Sequence, residues 1–147
     1  MLWRKNALAL VHLEDEKWLD ALGFAYGDDA LETYKLFRNG GRLGVLYDSG
    51  IENLDAGSSS GAFKKSPERI YVRTKASFMI WWRSLYRNGK DTRGSRFMAA
   101  LAFGVKSLWL LPVMCVAGKV GSYFSGLRDG WKAVHAPEFQ ALPPYIR

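Results

Sequence analysis

The stretch "FMAALAFGVKSLWLLPVMCVAG", residues 97–118, carries a single charge, Lys106. About 20 apolar residues of helix suffice to cross the hydrocarbon core of a bilayer. This run therefore limits the fold more than any other: it must lie in a membrane, on one, or inside a core. Lys106 falls near its centre, where a charge costs roughly 2.5–3.5 kcal/mol on insertion scales, and Pro112 interrupts a regular helix. Basic residues flank both ends, Arg93 and Arg96 before it, Lys119 and Arg128 after it, so charge bias sets no orientation. A helix or broken helix pair lying partly in the membrane surface fits best, with a span and a buried soluble helix as alternatives.

The rest of the chain is divided by charge. Net charge is −4 over residues 1–60 and +11 over residues 61–147. The hydrophobic fraction, 48%, excludes bulk disorder. A basic half invites nucleic acid or an anionic membrane. Zinc-finger spacing, a KH glycine loop and an RRM signature are all missing, and the apolar runs are long, so the membrane is the expected partner and nucleic acid is not. The lone Cys115 excludes a disulfide framework and reads as a small buried hydrophobe. His12 and His135 lie far apart with no helical H-E-x-x-H, so no metal site is expected from them.

Local patterns suggest α/β material followed by helices. "MLWRKNALALVHL" reads as a short strand, a helix, or one leading into the other, and no cleavable signal peptide is expected. The spacing predicts a helix over "DALETYKLFRN", with Asp28 or Asp29 as its cap and Leu31, Tyr34 and Phe37 on one face. Glu32, Lys35 and Arg38 fall mostly away from that face, and Asn39, Gly40 and Gly41 end the helix. "RLGVLYD", residues 42–48, reads as a strand with Leu43, Val45 and Tyr47 on one side, and "AGSSSGAF" as a loop. Ser66 and Pro67 open a further helix with a stripe at Ile70, Thr74, Phe78, Trp81 and Leu85 and with Arg69, Arg73, Lys75, Arg83 and Arg87 beside or behind it. The Pro-containing tail, residues 135–147, is expected to be extended and weakly ordered.

Asp28 and Asp29 admit two readings. They can simply cap a helix, or one can act as a general base toward an acceptor hydroxyl while the other caps or orients. The loop "DAGSSS" offers Asp55, Ser58 and Ser59 as oxygen ligands beside free backbone N–H groups, a composition that suits phosphate or sugar hydroxyls or a plain solvated turn. The phosphate-loop pattern GxxxxGK[ST] is absent.

The segment "GDDALETYKLFRNGGRLGVLYDSGIENLDAGSSS" resembles the C-terminal part of the catalytic domain of family 2 glycosyltransferases. That family has an acidic pair opening a helix, then a pattern of roughly "YKL…RNGYRL…YD…I.HLDAGS" at this spacing. The likeness covers about residues 1–88 and, loosely, the apolar region after them. It implies an inverting, nucleotide-sugar-dependent enzyme of GT-A fold, transferring a sugar to a saccharide or lipid-linked acceptor in surface polysaccharide synthesis. By the same likeness Asp29, or else Asp28, is the catalytic base, and Asn53, Asp55, Ser58 and Ser59 fall at the substrate or diphosphate side. Asn53 stands where the family usually has His. A divalent cation, Mg or Mn, is implied for the intact enzyme.

The resemblance implies no counterpart here for the family's donor-binding half, and no Asp-x-Asp follows an apolar strand. The expectation is therefore a partial GT-A-like α/β piece at 1–63, a basic amphipathic helix and linker at 64–96, an apolar membrane-associated region at 97–134 and the tail at 135–147. Such a chain would be a fragment, or one piece of a split enzyme with a donor-binding partner, and inactive alone. Its expected place is the cytoplasmic face of the bacterial inner membrane. The alternative is a small non-catalytic membrane-associated protein.

Overall fold

The computed structural model describes residues 5–22, 28–42, 44 and 66–146. The ordered elements are α1 (Lys5–Val11), a 3₁₀ stretch (Leu13–Leu22), α2 (Asp28–Arg38), α3 (Pro67–Trp81) continued by a π-helical turn (Trp82–Tyr86), α4 (Arg93–Val116), α5 (Val120–Val134) and α6 (Pro137–Gln140). Among the described residues there is no strand, and this overturns the α/β, GT-A-like expectation. The segment read as a strand, residues 42–48, lies mostly outside the described residues; Arg42 and Gly44, which are described, carry no strand. Within the undecided N-terminal run, Lys5–Val11 form helix α1.

The pair α3–α5 is the centre of the structure. Gly126 and Gly130, one turn apart on α5, let the two helices approach closely. A Cβ at Gly126 would sit 2.7 Å from the Tyr71 carbonyl oxygen, and one at Gly130 would sit 3.1 Å from Phe78. The hydroxyl of Tyr71 donates to Asp129 at 3.1 Å across the same seam. Phe78, Met79, Trp82 and Val134 form the buried cluster beneath it, and Trp18 and Phe139 close its edge.

α3 starts with Ser66 in extended backbone and Pro67 at the first helical position, although the Ser66 side chain makes no capping bond. The expected stripe holds through Trp81, which packs against the buried cluster, and fails at Leu85, which is exposed. Leu85 lies within the π-helical turn, whose wider winding departs from α-helical spacing. Trp82, Arg83 and Ser84 of the same turn are buried. Arg83, expected beside or behind the stripe, is instead part of the interior.

Thr92 and Ser95 close a reciprocal capping box at the start of α4. Gly118, at φ +65°, makes the turn into α5 in the left-handed region that favours glycine. α4 rests on the body through Phe103, whose ring stacks on Trp81 at 4.3 Å, and through the Trp81 indole N–H, which donates to the Ala99 carbonyl at 3.1 Å.

The C-terminal tail contradicts the expectation of weak order. After α6 the chain folds back, and Tyr145 and Ile146 bury against Leu31, together with Trp18, Leu19, Tyr34 and Ile80. The backbone N–H of Ile146 donates to the Asn88 carbonyl at 2.7 Å, and Arg83 Nη1 donates to the Pro143 carbonyl at 2.6 Å. Burial of a Tyr and an Ile outweighs the extended bias that prolines give the segment.

Candidate functional site

α2 begins at Asp28, so both aspartates belong to its first turn. Their side chains, and all of Asn53, Asp55, Ser58 and Ser59, lie outside the described residues. The helix closes as its sequence implies, with Gly40 at φ +87° and the Gly41 N–H bonded to the Leu36 carbonyl at 2.9 Å. Its buried face differs from the expected one. Leu31, Lys35 and Leu36 are buried, whereas Phe37 is exposed.

Lys35 is buried because a carboxylate waits for it. The 3₁₀ stretch breaks at Glu16 (φ −107°, ψ 20°), and the Glu16 side chain turns inward. Its Oε1 accepts from Lys35 Nζ at 2.7 Å and from Arg83 Nη2 at 2.9 Å. Its Oε2 accepts from the Trp18 indole N–H at 2.6 Å and from Arg83 Nε at 3.2 Å. Asp15 adds a second carboxylate 3.9 Å from Lys35. Burial by itself would raise the Glu16 pKa, but the hydrogen bonds and charge of Arg83, then the bonds from Lys35 and Trp18, hold it below the ordinary carboxylate range. Four donors on two oxygens leave Glu16 a saturated anion, suited to anchoring and not to taking up a proton.

Two charged pairs thus balance: Asp15 and Glu16 against Lys35 and Arg83. The Tyr145 ring closes the cluster, with Lys35 Nζ 5.0 Å and Arg83 Cζ 5.5 Å from its centre. The cluster ties α2, the π-turn and the tail into one unit. It anchors the helix that starts with the aspartate pair through Lys35. Local periodicity gave no sign of it, since its members stand 19 and 67 positions apart in the chain.

α4 forms the other notable surface. At 24 residues it spans about 36 Å, and it is long and apolar enough to cross a membrane. None of its residues is buried. Leu101, Val105, Leu108 and Trp109 point outward along it, Trp109 at 75% exposure. Met98, Leu101, Ala102, Val105, Lys106 and Trp109 bound a shallow apolar hollow on this outer side. Cys115, expected inside a core, is exposed on the same helix. Among the described residues no group of three His, Cys, Asp or Glu side chains is placed to hold a metal ion. His135 is exposed, its ring 4.2 Å from that of Trp131, and His12 pairs with Glu14 at 3.1 Å.

No protein-family model, curated protein or solved structure matches the chain.

Proposed function

We propose that this chain is the acceptor-side portion of an inverting nucleotide-sugar transferase, seated on the cytoplasmic face of a bacterial inner membrane by the outer side of α4. The observation that carries the membrane seat is an apolar helix of spanning length with no buried residue. Burying aliphatic surface in lipid stabilises by roughly 25 cal/mol per Å². The basic half of the chain adds attraction to an anionic leaflet of about 1 kcal/mol per nearby Lys or Arg.

The transferase reading rests on the order of residues from 18 to 60 and not on fold. Asp29 takes the proton of the acceptor hydroxyl as general base, and Asp28 orients the acceptor. By the same residue order, Asn53, Asp55, Ser58 and Ser59 are the candidates for binding the leaving diphosphate or sugar oxygens. The donor-binding half belongs to a partner or an adjoining segment, and that half would hold the Mg or Mn ion, which would offset charge on the leaving diphosphate. A saccharide on a lipid carrier is the acceptor class that matches a membrane seat. The absence of any strand among the described residues favours a second reading, a non-catalytic membrane-associated helical protein.

Two measurements separate these readings. Flotation with phosphatidylglycerol vesicles across a salt series tests the seat: binding weakened but not abolished by high salt is expected, and a chain that ignores vesicles at low salt overturns it. Sugar transfer by the chain joined to a compatible donor-binding half tests the chemistry. Asp29→Asn is expected to abolish transfer and spare nucleotide binding; near-native turnover removes Asp29 from the role.

A further inference from the structure

α3 and α5 run parallel, since Tyr71 meets Gly126, Phe78 meets Gly130 and Trp82 meets His135. α4 joins the end of one to the start of the other, so it runs antiparallel to both. It stays beside them for much of its length. Ala99 accepts a hydrogen bond from Trp81 in its first half, and Leu110 and Met114 in its second half line a groove with Ile70, Tyr123 and Leu127. The opposite side of α4 is one apolar stripe. Met98, Leu101, Val105, Trp109, Val113 and Val116 recur at helical spacing from near one end of the helix to the other, and all are exposed. Lys106 borders both the groove and the outer hollow, which places it on the flank between the stripe and the body.

We propose that α4 lies in the plane of one anionic leaflet, at the boundary of headgroups and acyl chains, and that these helices do not cross the bilayer. The proposal rests on the membrane seat argued above and fixes its orientation. The length of α4 suffices for a crossing, but its neighbours oppose one. An upright α4 would carry α3 and α5 into hydrocarbon beside it. Arg69 and Arg73 on α3, and Arg128 and Lys132 on α5, are exposed and would enter lipid with them, where charged side chains are costly even when paired. An upright helix would also put Lys106, near the middle of its length, at the bilayer centre. In the plane, only the outer stripe meets acyl chains. The Lys106 ammonium then extends on its apolar stem from the flank to the headgroup phosphates. A one-sided apolar stripe with a cation on its flank matches the surface of an anionic leaflet in both polarity and charge.

The test is depth measurement by electron paramagnetic resonance on the full chain bound to phosphatidylglycerol vesicles. Single spin labels are attached in Leu101→Cys, Val105→Cys, Trp109→Cys and Val116→Cys, each in a Cys115→Ser chain. These four side chains are exposed, so the labels displace no packing. Collisions with oxygen, which enters lipid, and with a water-soluble nickel chelate give the depth of each label. All four are expected at one depth, about 5–10 Å below the headgroups. A label in Arg128→Cys is expected to stay in water. Leu101 and Val116 lie about 22 Å apart along the helix axis, so in a crossing helix Val105 would sit at the bilayer centre and Val116 at a headgroup boundary. That spread of depths, or an Arg128→Cys label in lipid, overturns the in-plane orientation and spares the seat. Labels shielded from both reagents and broadened by spin–spin coupling would mean that a second copy covers the stripe, and would overturn the proposal. A chain that binds no vesicles refutes seat and orientation together.

Discussion

The hydroxyl of Tyr145 donates to the backbone carbonyl of Leu31, 114 positions earlier in the chain. Leu31 lies one turn inside α2, so the tail holds the helix that opens with the paired aspartates. Removing only the hydroxyl, in Tyr145→Phe, is expected to cost about 1 kcal/mol, since a typical hydrogen bond contributes that much net. Tyr145→Ala removes the ring as well, and about 3–5 kcal/mol is expected, as for other large aromatic truncations. Urea denaturation followed by tryptophan fluorescence measures both. A silent Tyr145→Ala variant would show that the tail is not part of the core.

The ion cluster makes stability depend on pH. Glu16 has a carboxyl whose pKa in the folded chain lies below its ordinary value of 4.5. Its contribution is therefore fully present above that ordinary value, and it is lost as pH falls through the lowered, folded one. Glu16→Gln leaves Lys35 with Asp15 at 3.9 Å and Arg83 with the Pro143 carbonyl, and removes the carboxylate that joins them. A loss of about 3–5 kcal/mol at neutral pH is expected, as for breaking a buried pair, with a flatter acid dependence than the wild type. Thermal melts from pH 7 to pH 3 check both parts. A variant as stable as wild type at pH 7 would remove Glu16 from its anchoring role.

Two glycines should respond oppositely to a methyl group. Gly126→Ala drives a Cβ to 2.7 Å from the Tyr71 carbonyl and 2.8 Å from Thr74, so α3 and α5 must separate. A loss of about 1–3 kcal/mol is expected from such overpacking. Gly104, within α4, has nothing within 4 Å of the same position. Gly104→Ala is expected to stabilise by about 0.5–1 kcal/mol through helix propensity alone. Paired denaturation curves decide the comparison.

Cys115 reports on the environment of α4. It is exposed in the free chain, and a water-soluble maleimide is expected to label it quickly. Binding to phosphatidylglycerol vesicles is expected to slow labelling at least about tenfold. Equal rates with and without vesicles would place this part of α4 in water.

Much of the helical punctuation was legible in the sequence. Pro67 opens α3, Gly40 and Gly41 end α2, and the apolar run 97–118 forms most of one helix. These features depend on a few neighbouring residues. Lys35 was misplaced because periodicity sorts a lysine to the solvent face, and only a carboxylate brought from a distant segment reverses that. Leu85 was misplaced because a π-helical turn leaves no local signature. The tail was misjudged because proline content describes an isolated segment, while Tyr145 and Ile146 are held by partners in α2 and α3. The candidate site was legible only as a residue order around Asp28 and Asp29, and the ion cluster behind it was not. The α/β expectation rested on the likeness and on alternation over residues 42–48, most of which lie outside the described residues.

Distance along the chain separates the two apolar clusters in time more than in strength. The contact between Tyr71 and Asp129 closes a loop of 58 positions, and that between Leu31 and Tyr145 closes one of 114. Doubling a loop adds only about 0.6 kcal/mol of closure entropy, which is small beside the burial of one tyrosine. Search time grows more steeply with such separation. During refolding, α3 and α5 are expected to gain protection from hydrogen exchange first, and α2 to gain it later, once the tail has found its place against it.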